Sequence, residues 1–136
     1  MAKTTEGLPP MPVDTLTMEQ TQHLIGLGVP EDKATIFRMG CLARTVGFRD
    51  CYFFTLANLF PMMPHHIHKD GYDYYLMLTA TDDGEWEASY YSWILEIPAE
   101  DIECHGKTRA EAIYRLMVWC LENKHLSFDK KGNAVH

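Results

Sequence analysis

The most regular pattern of apolar positions lies towards the C-terminus of the chain, where they recur every three or four residues. These positions are Ala110, Ile113, Leu116, Met117, Cys120 and Leu121. Such spacing predicts an amphipathic helix that buries one face. Thr108 and Glu111 have the spacing of a capping box, in which each side chain accepts a hydrogen bond from the other residue's backbone N–H. We therefore predict a helix that begins after Thr108 and ends near Asn123.

Three shorter helices are predicted in the first half of the chain. The segment Thr17-Met18-Glu19-Gln20 has capping-box form, and Gly28 suits the left-handed position that ends a helix. Pro30 favours the first turn of a second short helix. Thr55 predicts an N-cap for a third helix over residues 56–60, which the prolines that follow would end.

A β-meander is predicted between these helices and the last one. Strands are expected over residues 65–68, 72–79 and 85–93, separated by the turn segments Asp70-Gly71 and Thr81-Asp82-Asp83-Gly84. On the last of these strands one face holds Trp86, Ala88 and Tyr90, and the other holds Glu85, Glu87, Ser89 and Tyr91. Residues 39–51 have mixed polarity, and we interpret them as irregular structure or a weak strand.

The order of these elements indicates one α+β domain. The chain has 136 residues, of which 46% are hydrophobic, enough for a single core. We predict a flexible N-terminal arm over residues 1–13, a single domain over residues 14–126 and a polar C-terminal tail over residues 127–136. In that domain, short N-terminal helices precede an antiparallel meander of three or four strands, and the C-terminal helix packs on one face of the sheet.

The charge of the chain is unevenly distributed. Its formal net charge is −7, which argues against broad binding to nucleic-acid phosphates, because such binding needs a basic surface. Between Asp70 and Gly106 there are ten acidic residues and no lysine or arginine, so this stretch carries −10 and the remainder carries +3. The acidic stretch is either a solvated face that aids solubility or a surface that docks on a basic partner.

The predicted docking surface combines acidic and aromatic side chains of the meander. Its residues are Asp82, Asp83, Glu85, Glu87 and Tyr91. Aromatic side chains often anchor protein interfaces, and acids beside them complement a basic groove. A sheet that stacks single-stranded bases would also need lysine or arginine, which this stretch lacks. The pattern therefore favours a protein as the partner.

The segment His65-His66-Ile67-His68 raises the alternative of a metal site. On a strand, His66 and His68 point to the same face, which suits a pair of metal ligands. Zinc needs a third protein ligand, and the compact complement elsewhere in the sequence is Cys104 with His105. The chain would then be a metal-binding module or a small metal-dependent enzyme. Solvated histidines at a strand edge are the simpler interpretation, and a pH-sensitive contact is a third.

No motif for catalysis or cofactor binding is present. The sequence holds no GxSxG elbow, no HExxH pair and no glycine-rich phosphate loop. We therefore expect neither enzymatic activity nor a cofactor. Weak RNA binding is a second alternative, through Arg38, Arg44 and Arg49, although cations are sparse along the chain.

The cysteine pattern and the hydropathy predict a cytoplasmic location. The four cysteines are widely spaced without a CxxC motif, and the N-terminus has no secretory apolar core. No apolar run approaches the roughly 18 to 20 residues that a bilayer span needs. We expect reduced thiols and no association with membranes.

Four segments of the chain have a familiar order of caps, turns and tryptophan positions. They are LTMEQTQHLIGLGVPEDKA, CYFFTLANLFPMMPHHI, DYYLMLTATDDGEWEASYY and AEAIYRLMVWCLENKHL. They resemble a group of small uncharacterised accessory proteins encoded on bacteriophages and mobile elements of gut-type bacteria. The resemblance covers about residues 16–126, and its motifs are structural, so no functional residue is carried over. It implies that the chain binds and inhibits a host system, as anti-CRISPR proteins do.

Together these patterns predict a non-enzymatic accessory protein that docks its acidic, aromatic surface on a basic host protein. A nucleic-acid-guided defence nuclease in the host cytoplasm is the partner that the resemblance favours. A homo-oligomer, in which a second copy covers the exposed face of the sheet, stays open as an alternative.

Overall fold

A computed structural model describes residues 14–40 and 48–136, with the side chains of residues 37–40 and 48–50 left out of the description. Its helices are α1 (Met18–Gly26), α2 (Leu56–Leu59) and α3 (Arg109–Glu122). Its strands are β1 (Thr35–Gly40), β2 (Phe48–Phe53), β3 (His66–Lys69), β4 (Tyr72–Ala80), β5 (Trp86–Ser92), β6 (Ile97–Pro98), β7 (Cys104–Gly106), β8 (Ser127–Phe128) and β9 (Ala134–Val135). These elements confirm the predicted α+β fold.

The helices begin at the threonines that the sequence indicated. Thr17 and Gln20 form both hydrogen bonds of a capping box on α1, each 3.0 Å long. At α3 the box is only half formed. Thr108 Oγ1 accepts the Glu111 N–H at 3.1 Å, whereas the Glu111 carboxylate accepts the N–H of Lys107 at 2.8 Å. Within the described residues, no helix has the length and apolar character needed to cross a bilayer.

The main sheet is an antiparallel meander with an added edge strand. Its strand order is β3-β4-β5-β6, and β7 also pairs with β5. The β3–β4 turn contains Asp70 and Gly71 with φ of 52° and 84°, the backbone that an Asp-Gly pair favours in tight hairpins. The sequence pattern predicts three or four strands and does not reveal β7. This strand pairs with β5, although β6 lies between the two in the chain.

Alternate residues of β5 divide the sheet into two faces. Trp86, Ala88, Tyr90 and Ser92 point towards α3, and we call this side the inner face. Tyr90 and Ala88 are fully buried there against the apolar stripe of α3, as the helix periodicity predicted. The Tyr90 hydroxyl donates a 2.9 Å hydrogen bond to the carbonyl of Pro64, which satisfies the buried polar group.

Segments outside the main sheet form two small hairpins. β1 pairs with β2, so the described part of the region 39–51, for which we expected irregular structure or a weak strand, is strand, while residues 41–47 lie outside the described residues. The predicted C-terminal tail forms the β8–β9 hairpin, whose Phe128 and Ala134 pack on the core.

The predicted arm over residues 1–13 lies outside the described residues. Asp14, which follows it, is buried and binds Arg109 at the start of α3.

Candidate functional site

The second face of the main sheet, which we call the outer face, is the candidate functional site. Strand pairing and alternation place on it His66, His68, Asp73, Tyr75, Met77, Thr79, Glu87, Ser89, Tyr91 and His105. In the described part of the chain, α3 is the helix that packs on this sheet, and it covers the inner face. Tyr75 and Thr79 are consequently exposed. The outer face is thus mostly solvent-facing and carries aromatic, acidic and histidine side chains, although Ser89 at its centre is buried.

The five predicted docking residues lie along β5 and the turn before it. Glu87 and Tyr91 are on the outer face, and Asp82 and Asp83 are exposed in the β4–β5 turn. Thr81 fixes this turn, since its hydroxyl donates to Asp83 and accepts the Glu85 N–H at 3.1 Å. The hydrogen bond from Thr81, followed by that from the Glu85 backbone, lowers the pKa of Asp83. Asp83 therefore stays charged to lower pH than a free aspartate does.

The acidic stretch as a whole does not form one surface. Six of its carboxylates belong to the outer face and the turn beside it: Asp73, Asp82, Asp83, Glu85, Glu87 and Glu103. The other four lie in different connections: Asp70, Glu96, Glu100 and Asp101. Glu100 is ion-paired with Lys69 Nζ at 2.8 Å, and this lysine lowers the pKa of its carboxyl. Six of the ten acidic residues between Asp70 and Gly106 therefore contribute to the negative charge of the outer face and its turn.

An exposed apolar tip adjoins the outer face at the β5–β6 connection. Its members are Trp93, Ile94, Leu95 and Ile97. Trp93 and Ile94 are 65% and 79% exposed, which is unusual for neighbouring large apolar residues. The Trp93 ring packs edge-on against Tyr91, with centroids 4.9 Å apart, so the tip is continuous with the outer face.

Ser92 forms two hydrogen bonds with the backbone of the apolar tip. The Ser92 side chain is 1% exposed, and its Oγ accepts the Leu95 N–H at 3.0 Å. Its carbonyl accepts the Glu96 N–H at 2.7 Å. The docking surface predicted from the sequence did not include the tip, because apolar residues that continue a strand pattern are normally core. The signal in the sequence was a mainly apolar run placed where the chain reverses direction.

Glu87, Glu103 and His105 form a second group that sequence reasoning missed, which we call the carboxylate–histidine triad. Glu87 lies directly opposite His105 in the β5–β7 pairing, and one ligand atom from each of the three side chains lies within 4.8 Å of the others. Burial raises the pKa of the Glu87 carboxyl, and the nearby charge of Glu103 raises it further. Two carboxyl groups are therefore held close together on the outer face.

Strand β7, which places His105 opposite Glu87 of β5, rests directly on α3. Arg115 donates a 2.9 Å hydrogen bond to the carbonyl of His105. A Cβ on Gly106 would come within 2.6 Å of the Ala112 nitrogen and 2.8 Å of the Glu111 Cβ. Glycine at this position is thus what allows β7 to approach α3 so closely. The triad is supported by the core of the domain rather than by a free loop.

The two histidines of the predicted metal site do lie on the same face, as their spacing indicated. The His66 ring is 5.6 Å from that of Tyr75, and His68 Nδ1 is 2.8 Å from a carboxylate oxygen of Asp73. Among the described residues, the group of three converging ligands is the carboxylate–histidine triad, which includes neither. Cys104 pairs with Ala88 and points inward, where burial raises its pKa. Cys104 and His105 therefore face opposite sides and do not act together.

Two arginines of the predicted RNA contact lie on the β1–β2 hairpin. Arg38 lies opposite Asp50 and Arg49 opposite Met39 in the β1–β2 pairing. Their side chains, and the whole of Arg44, lie outside the described residues. RNA binding through these arginines stays a prediction.

Comparison of the chain with protein-family models, curated proteins and solved structures found no match. We therefore infer the function from the chemistry of the outer face, the apolar tip and the triad. The resemblance to phage accessory proteins stays a prediction.

Proposed function

We propose that the chain is a non-enzymatic binding protein that docks its outer face and apolar tip on a basic partner protein. The exposed Trp93 and Ile94 at the end of β5, together with the acidic β4–β5 turn at its start, carry this proposal. Contiguous exposed apolar side chains rimmed by polar groups are typical of interaction sites. Because Ser92 already hydrogen-bonds the backbone of the tip, binding would require little additional ordering of that backbone.

The charge of the surface indicates the character of the partner. Asp82, Asp83 and Glu85 lie next to one another at the β4–β5 turn, and no described lysine or arginine forms an ion pair with them. Such a cluster attracts a basic surface and repels nucleic acid and anionic membranes. The partner that fits is a protein with a basic surface and an apolar pocket able to receive the Trp93 side chain.

A nucleic-acid-guided defence nuclease is the partner class we favour within this proposal. The groove of such a nuclease is positively charged because it binds a polyanion, and a row of carboxylates can occupy it in place of phosphates. The chain would then act in the host cytoplasm. The described cysteines, Cys51, Cys104 and Cys120, form no disulfide, which is compatible with a reducing compartment.

The proposal is tested by recovering a partner and then reconstituting the complex from purified components. The untagged chain is cross-linked to a matrix and exposed to lysate of its host cell, and each stoichiometric partner is purified. We expect a basic protein whose affinity falls as salt rises. The charge reversals D82K, D83K and E85K, combined in one variant, and W93A should each weaken binding at least about thirtyfold, equivalent to about 2 kcal/mol.

A matched control separates local charge from net charge. The variant E31K/D32K/E122K makes the same change in net charge at exposed residues away from the outer face. It should alter the affinity by no more than about threefold. Equal weakening by both triple variants, or full binding by W93A and by the D82K/D83K/E85K variant, would contradict the proposed surface.

A further inference from the structure

We propose that the carboxylate–histidine triad is a Zn²⁺ site. It offers two carboxylates and one imidazole, all of them ligand types that zinc accepts. The site lies on the outer face and shares Glu87 with the proposed docking surface, but metal binding is a separate property and its test does not require a partner. It also differs from the sequence-predicted pair His66 and His68, since it draws its ligands from β5, β7 and the residue before β7.

Glu87 and His105, which form an ion pair when His105 is protonated, also have the separation of two ligands of one metal ion. His105 Nε2 is 3.6 Å from a Glu87 carboxylate oxygen, too far for a hydrogen bond. Two ligands of a tetrahedral ion with bonds of about 2.0–2.1 Å lie roughly 3.4 Å apart. An ion placed between these two atoms would therefore need only a small change in their positions.

The third ligand brings the negative charge that a cation would neutralise. Glu103 lies within the same 4.8 Å cluster, and in the described part of the chain neither it nor Glu87 is ion-paired with a lysine or arginine. A divalent ion would convert the repulsion between Glu87 and Glu103 into two attractions.

The backbone that carries the ligands is held in place without a metal. Glu87 and His105 are fixed opposite each other by strand pairing. The bond from Arg115 to the His105 carbonyl and the close approach of Gly106 to α3 secure β7. A preformed backbone of this kind lowers the ordering cost of binding.

The composition of the triad discriminates among metal ions. Ca²⁺ prefers six to eight oxygen ligands and Mg²⁺ an octahedral oxygen shell, whereas an imidazole favours first-row transition metals such as zinc. Three protein ligands at a solvent-facing position leave a fourth for water, which is the pattern of open zinc sites. The structure therefore predicts that millimolar Mg²⁺ or Ca²⁺ does not compete with Zn²⁺.

The test is calorimetric titration of the untagged, chelator-treated chain with ZnCl₂ in the presence of excess MgCl₂. We expect one Zn²⁺ per chain with micromolar affinity, and a shift of the His105 ring resonances on binding. E87Q, E103Q and H105A should each weaken the affinity at least about tenfold. Circular dichroism of each variant checks that the fold is retained, and these side chains are sufficiently exposed for substitution.

Two matched variants test whether the loss is specific to the triad. H66A/H68A removes the other histidines of the outer face, and E85Q removes one carboxylate from the neighbouring turn. Both should bind Zn²⁺ within about twofold of the unmodified chain. Absence of stoichiometric binding, or binding that H66A/H68A abolishes and H105A preserves, would overturn the proposal.

Discussion

Tyr90 and Tyr91 are adjacent residues of β5 with opposite surroundings. Tyr90 is fully buried beneath α3, and its hydroxyl is hydrogen-bonded to Pro64. Tyr91 faces outward, where its ring contacts the exposed Trp93. The same residue type therefore stabilises the fold at one position and is accessible for recognition at the next. The outer face differs from the inner face in what covers it, not in its content of aromatic residues.

The largest predicted effect is the difference in stability between alanine substitutions at these two tyrosines. Tyr90→Ala should lower the free energy of unfolding by about 3–5 kcal/mol, because it leaves a cavity under α3 and removes the hydrogen bond to Pro64. Tyr91→Ala should lower it by less than about 1 kcal/mol. Urea unfolding of both variants measures the difference. Similar losses from the two substitutions would show that the outer face is also part of the core.

The second prediction concerns the support of the outer face by the core. Gly106→Ala should lower the free energy of unfolding by about 1–3 kcal/mol, because the new methyl group would meet backbone and Cβ atoms of α3. Gly26→Ala is the matched control. Gly26 is in α1, and a methyl group added there would have no neighbouring atom within 4 Å. Alanine at this position should therefore leave stability unchanged or increase it by up to about 1 kcal/mol.

Thermal unfolding followed by circular dichroism gives both values. A Gly106→Ala protein as stable as the Gly26→Ala protein would contradict the close packing of β7 on α3.

The smallest predicted effect is an increase in stability, expected for a substitution at Glu87. Because the pKa of Glu87 is raised in the folded chain, folding favours its protonated form, and ionisation costs stability. That cost is absent below the carboxyl's ordinary pKa and is fully present once the pH exceeds the raised value. Glu87→Gln should therefore increase stability at about pH 7.5 by less than about 1 kcal/mol, and the gain should vanish at about pH 4.

Urea unfolding at the two pH values tests this prediction, with Glu31→Gln as a control at an exposed residue away from the outer face. A loss of stability at the higher pH would contradict the unfavourable environment assigned to Glu87. A stabilising substitution at a candidate binding residue is consistent with a trade-off between stability and function.

Local features of the fold were predictable because they depend on residues close together in the sequence. Thr17 and Thr55 cap helices, and the Asp70-Gly71 turn has the expected positive φ values. The apolar stripe of α3 is buried as its spacing indicated. In each case a few neighbouring side chains satisfy backbone groups or define one face, so no knowledge of the tertiary structure is needed.

The carboxylate–histidine triad was not predictable in this way. Glu87 and His105 meet only because β7 pairs with β5, and the three-residue β7 has no alternation of its own. As an alternative metal site, the sequence pattern instead indicated His66 and His68, because these two histidines are close together in the chain. Short edge strands are placed by contacts with the core, here by Gly106 against α3, which a local pattern does not contain.

The apolar tip illustrates a different limit. Trp93 and Ile94 have the composition of core residues, and periodicity alone does not reveal that a turn places them in solvent. Tyr91 was assigned to the outer face correctly because strict alternation along β5 determines its side. Alternation along β5 thus placed Tyr91 on the outer face. The exposure of Trp93 and Ile94 instead depends on where the strand ends, which alternation does not reveal.

Carboxyl footprinting of the complex with its purified partner tests the central claim most directly. Labelling with a carbodiimide and an amine, read by mass spectrometry, reports the accessibility of each acidic side chain. We predict that Asp82, Asp83 and Glu85 become protected in the complex, whereas Glu31, Asp32 and Glu122 keep the reactivity they have in the free chain. Unchanged labelling of the β4–β5 turn, with protection elsewhere, would contradict the assignment of the outer face as the docking surface.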